Sequence, residues 1–177
     1  MKKYEFTGET KEIRLLFRTA TLHRIRATVA FGIVEVGDLG GWIEKEENLS
    51  HEGKAWVWGN AKVWGNAEVC GDAKVWGNAK VCGDAKVCGD AKVFSASHVL
   101  VIGAIGSRND FTTFYRDKDN EITVKCGCFL GKIDRFLEKV TQTHGDSKYA
   151  LVYRAAVEVA KLQIDLSGEA PKDADEE

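Results

Sequence analysis

The chain has 177 residues, 44% of them apolar, and a formal net charge of −2. That length accommodates one compact domain or a repeat array with an appendage, and the near-neutral balance gives no general pull toward nucleic acid. No apolar run reaches the roughly 20 residues of a membrane span, and the start, MKKYEFTGETKEI, lacks the apolar segment of a secretory leader.

Residues 1–33 are expected to be strands: 4–7 as one, and 14–29 as one or two more. Arg14, Arg18, Arg24 and Arg26 make this the most basic part of the chain. Arginine suits phosphate geometry, so an anion site stands beside the plainer expectation of a solvated strand face. Ile43 and Leu49 lie six apart and suggest a degenerate first repeat, with 44–48 and 50–54 breaking its register as end repeats do.

Residues 55–94 repeat a six-residue unit, Ala-Lys/Glu-Val-Trp/Cys-Gly-Asn/Asp, without insertion. Alanine precedes valine by two, so both face one side of an extended strand. Gly followed by Asn or Asp is turn chemistry. A helix is excluded, because a glycine every six residues costs ~1 kcal/mol each and six does not match 3.6. Such short strands have to stack on one another to bury their valines.

This stretch resembles the hexapeptide-repeat proteins, whose fold is a left-handed parallel β-helix with three hexapeptides per triangular turn. The resemblance implies that residues eighteen apart stack ~4.8 Å from each other. The residues after each valine then point outward: Trp58, Trp76 and Phe94 on one face, Trp64, Cys82 and Leu100 on the next, Cys70 and Cys88 on the third. An aromatic wall of that size is large for a monomer. Two explanations are open: the chain's own C-terminal part covers it, or it is the seam of a homo-oligomer, by family analogy a trimer. The cysteines are five, and a bond between Cys70 and Cys88 on in-register parallel strands is expected to be geometrically poor. A reduced, cytoplasmic protein follows.

After the repeats, 99–104 is a buried-type apolar run and 105–110 a turn. Residues 111–116 and 121–128 form a hairpin, with Ile122, Val124, Cys126 and Cys128 on one face. A helix carries the stripe Ile133, Phe136, Leu137 and Val140 and ends at Gly145. A second helix, capped by Asp146, is expected to bury Val152, Ala155, Ala156, Val159 and Leu162. The expected organisation is mainly β: N-terminal strands (1–33), a hexapeptide-repeat β-helix (34–104), a ββαα subdomain (105–166) and a disordered acidic tail (167–177).

Together, Leu22-His23-Arg24-Ile25-Arg26 leading to Gly40-Gly41-Trp42-Ile43, the Gly-Asn/Asp-Ala repeats, Ile105-Gly106-Ser107-Arg108-Asn109-Asp110, and Cys126-Gly127-Cys128 resemble a group of proteins from phages and prophages of Gram-positive bacteria. The group implies an origin and no settled activity. Four chemistries compete. Acyl transfer, common among hexapeptide-repeat proteins, would need a histidine base, and His98, read as a surface residue, is the one in the repeat. A metal would need Cys126, Cys128 and His144, a weak ligand pattern. Nucleophilic catalysis by Cys126 or Cys128 lacks an acidic orienter. Non-catalytic binding has the strongest polar cluster, Ser107, Arg108, Asn109 and Asp110, with Arg24 and Arg26 joining it if the fold brings them together. The expectation is therefore a binding protein without cofactor or metal, which counters host defence by sequestering a nucleotide-type signal or blocking a host protein. An acyltransferase and a structural or assembly protein are the alternatives.

Overall fold

The computed structural model describes residues 2–169. The first strand is longer than the sequence suggests and the second shorter than the 14–29 stretch. β1 (Tyr4–Arg14) and β2 (Thr19–Ala27) form one antiparallel hairpin, and Leu15 N–H donates to Arg18 O across its tip. β3 (Leu39–Ile43) pairs antiparallel with β2 and carries the sheet into the repeats.

Each repeat supplies a strand of only two residues: β4 (Trp56–Val57), β5 (Lys62–Val63), β6 (Glu68–Val69), β7 (Lys74–Val75), β8 (Lys80–Val81), β9 (Lys86–Val87) and β10 (Lys92–Val93). They pair in parallel at a separation of eighteen: Val57 with Val75 and Val75 with Val93, Val63 with Val81, Val69 with Val87. All seven of these valines are fully buried, as are the alanines two before them. Burying a valine contributes roughly 1.5 kcal/mol or more, and this row is the main stabilising element of the region.

The expectation of a left-handed parallel β-helix is corrected here. The described strands resolve into four small separate sheets, of five, three, four and two strands, none closed and none forming a solenoid. The reason is local. The glycine after each outward residue takes a positive φ, between 56° and 72° from Gly59 to Gly89, so extended backbone stops after two residues. The first sheet is also mixed, because β1–β3 extend it antiparallel. The irregular first repeat is present: Ile43 pairs with Val63 and Leu49 with Val69. Asn48, in the turn between them, donates to Gly65 O and Ala67 O.

Cys70 and Cys88 are bonded to each other, against expectation. Paired parallel rungs bring their Cα atoms to 4.6 Å, inside the range a disulfide spans. The redox reason for a reduced compartment therefore falls away. Among the described residues no helix is long and apolar enough to cross a membrane.

The C-terminal part is a four-stranded antiparallel sheet under two helices. β11 (Val99–Ile105), β12 (Asp110–Arg116), β13 (Ile122–Cys126) and β14 (Phe129–Lys132) lie in chain order. The apolar run at 99–104 is its half-buried first strand rather than a buried one, with Gly103 and Ala104 exposed. β14 goes unread in the sequence because its four residues, Phe-Leu-Gly-Lys, are too short for alternation to register. Cys128 sits in the turn before it and is exposed, off the face that Ile122, Val124 and Cys126 share.

β12 joins the two cores. Alternation sends Tyr115 into the repeat core, where its hydroxyl donates to Cys88 O at 2.7 Å, and Phe114 into the core under the helices. α1 (Ile133–His144) buries Phe136 and Val140 as expected. α2 (Lys148–Gln163), preceded by Ser147 rather than capped by Asp146, does not follow its expected stripe. It buries Ala150, Tyr153, Ala156, Val157 and Ala160, and leaves Val152, Val159 and Leu162 in solvent. Three alanines let the helix backbone come close, which a face of valine and leucine would prevent.

The tail expectation fails in part. Arg116 is fully buried and donates to Ser167 O and Gly168 O, so the chain is held down past the start of the expected tail. The rest of that call, 170–177, lies outside the described residues.

Candidate functional site

Where β11 turns into β12, Gly106 adopts φ +73° and Asn109 φ +49°, and Asn109 N–H closes the turn onto Gly106 O. This tight turn presents Ser107, Arg108 and Asp110 to a cleft of about 250 Å³ between the sheet and the helices. Opposite, α1 contributes Phe136, Lys139 and His144, α2 contributes Tyr153, and β13, β14 and the turn between them contribute Cys126, Phe129 and Cys128. The fold thus gathers around one cleft the polar turn, both cysteines and the histidine that sequence treated as separate candidates.

Tyr153 is the centre of the site. Its ring is edge-on to Phe136 at 5.5 Å and stacked near His144 at 5.9 Å. Burial, and then the neighbouring Cys126, push its hydroxyl up to about 12, so it remains a neutral phenol able to donate. Cys126 is engaged on both sides: Thr112 Oγ1 donates to its sulfur at 3.3 Å, and its thiol faces the Tyr153 hydroxyl at 3.9 Å. Neither of these two contacts is a base that would take up the thiol proton. No cluster of three or more potential metal ligands occurs among the described residues, Cys126, Cys128 and His144 included.

Arg24 and Arg26 are not part of this cleft. Arg24 lies over the Trp42 ring at 5.4 Å, and Arg26 pairs with Glu5 across the hairpin. Arg18 pairs with Glu44. Cross-strand partners thus occupy most of the basic face that the sequence left open. Lys139, Tyr153 and Phe129 were missed. The signal for Tyr153 was its place in the series 150, 153, 157, 160 and 164, which competes with the more apolar series on the other side of α2.

The outward aromatics form a continuous row. Trp58, Trp76 and Phe94 are in ring contact at 6.2 and 5.7 Å. Trp76 is only 8% exposed; Trp58, Trp64 and Phe94 are half-buried. Arg116 packs over Phe94 at 4.9 Å, so the chain's own C-terminal part covers that end.

His98 is buried, not superficial. Its ring meets Phe94 edge-on at 4.3 Å and Nδ1 accepts the Phe94 N–H. Burial first, and Arg116 next, hold its pKa below the ordinary histidine range, with Asp165 opposing. The unfolded chain therefore takes up a proton near pH 6.5 that the folded chain refuses. The stability contributed is present above that pH and is lost as pH falls from it through the lower folded-state value. His51, also depressed mainly by burial, adds to the same slope. Urea midpoints measured from about pH 7.5 down to 5 should fall, and His98→Asn should remove part of the fall.

No family model matches the chain, and no curated protein matches it.

Proposed function

We propose that the protein is a non-catalytic binder of a small anionic ligand of nucleotide type, held in the cleft between the β11–β14 sheet and the helices. One observation carries this: Arg108 and Lys139 flank an aromatic-walled cleft, and neither makes an ion pair among the described residues. A guanidinium grips phosphate in two places at once, Phe129 and Tyr153 offer ring faces, and Ser107 and the neutral Tyr153 hydroxyl offer donors. In this view the chain is phage- or prophage-encoded, works in the host bacterial cytosol, and counters defence by removing a nucleotide signal; the residues resembling the phage group support that part. A homo-oligomer, a trimer by analogy, would present several such clefts.

The test is calorimetric titration with a panel of cyclic and linear nucleotides. A ligand that binds, and that loses at least about ten-fold in affinity (~1.4 kcal/mol) in Arg108→Gln/Lys139→Gln, supports the proposal. Flat traces across the panel, or binding indifferent to both residues, reject it. Acyl transfer has less support, since His98 is occupied with Phe94.

A further inference from the structure

A second cavity, of about 350 Å³, lies between the repeats and the turn at residues 31–34. Its apolar lining is Phe31, Val34, Trp58 and Ala91. Its rim is Lys54, Lys74, Lys92 and Lys118 against Asp72 and Asp90. We propose that it is a binding site for a flat aromatic ring carrying a phosphate or carboxylate, distinct from the cleft at Arg108.

The aromatic side is pre-set. Trp58 stands edge-on to Trp56 at 6.5 Å and to Trp76 at 6.2 Å, which fixes its plane. Phe31 is held by a reciprocal pair of backbone hydrogen bonds with Val34 and by an edge contact with Trp56 at 5.4 Å. Gly32, at φ +57° with the Lys54 stem beside it, makes that turn. A ring entering the cavity meets the immobilised Phe31 ring and the Trp58 ring, over which Lys74 lies at 6.0 Å, and orders little on binding.

β7 and β10 place Lys92 directly beside Lys74; Lys74 is itself engaged over the Trp58 ring, so the charge open to a ligand is that of Lys54 and Lys92. Asp90 pairs with Lys118 at 2.8 Å, while Asp72 accepts the Lys54 backbone N–H and keeps its negative charge. The ammonium groups of Lys54 and Lys92 form no ion pair among the described residues. Lys3, buried beneath the same Phe31 ring at 4.8 Å, adds positive potential from below. An anion at this rim meets the Lys54 and Lys92 ammonium groups next to a low-dielectric wall, where the attraction is stronger than in water.

Calorimetry of the full chain at low salt, with AMP and with 1-naphthoate, tests the proposal and separates a nucleotide from an aromatic acid. At least one should bind, its neutral counterpart (adenosine or 1-naphthol) at least about ten-fold more weakly, and Lys54→Gln/Lys92→Gln should also cost at least about ten-fold. Both lysines lie on the surface, so this variant should melt with the parent. In Arg108→Gln/Lys139→Gln the affinity should stay within about two-fold, which separates this site from the cleft. The proposal is overturned if neither probe binds, if the neutral ring binds as well as the anion, or if the lysine variant binds like the parent.

Discussion

Arg116→Ala should lower the unfolding free energy by about 3–5 kcal/mol, among the largest single effects available in this chain. The guanidinium is fully buried yet has no carboxylate partner among the described residues. Instead Nε and Nη2 donate to Asn120 Oδ1, and the two terminal nitrogens donate to Ser167 O and Gly168 O. One face covers Phe94. Truncation removes four charge-assisted hydrogen bonds, opens a cavity between sheet and tail, and uncovers the end of the aromatic row. Arg116→Lys should recover less than half of the loss, because a single ammonium cannot reach acceptors that diverge as the planar fork does. At about 2–4 °C per kcal/mol for a chain of this size, the alanine variant should melt on the order of 10 °C lower. Protease should also reach residues 165–169 sooner. A shift under about 1 kcal/mol would mean that the tail contact contributes nothing to the fold.

Gly106→Ala should cost about 3 kcal/mol or more and abolish ligand binding in the Arg108 cleft. Two independent penalties meet there. The residue sits at φ +73°, and an added Cβ would stand 1.9 Å from the Tyr153 hydroxyl and 2.3 Å from its ring carbon. Gly83→Ala is the control: φ is +66° with nothing within 4 Å of the new methyl, so only the backbone term remains, about 1 kcal/mol. A double-mutant cycle separates the terms. In a Tyr153→Ala background the Gly106→Ala cost should drop toward the Gly83 value. Additive costs would show that Tyr153 does not press on the turn, and would leave the cleft without its central wall.

Much of the candidate site was visible in the sequence as parts. Ser107, Arg108, Asp110, Cys126 and His144 were each singled out, but their convergence depends on how β11, β13 and α1 pack, which no local pattern encodes. Arg24 and Arg26 illustrate the reverse. Their spacing and charge were plain, while their neighbours Glu5 and Trp42 come from other strands and hold them away from the Arg108 cleft. The Lys54–Lys92 rim was missed because its lysines are eighteen or more residues apart, and each alone looks like ordinary repeat surface.

The sequence by itself determined the six-residue period, the inward alanines and valines, the turn glycines and the buried face of α1, because each rests on backbone preference and alternation within a few residues. Tertiary structure alone decided how the short strands are grouped into separate sheets, and that Cys70 and Cys88 are bonded. It likewise set which of two apolar faces α2 buries, and that His98 and Arg116 are enclosed. Those outcomes turn on which surfaces approach from far along the chain. On α2 the small side chains of Ala150, Ala156 and Ala160 admit the sheet more closely than the larger Val152, Val159 and Leu162, so close packing prevailed over hydrophobicity.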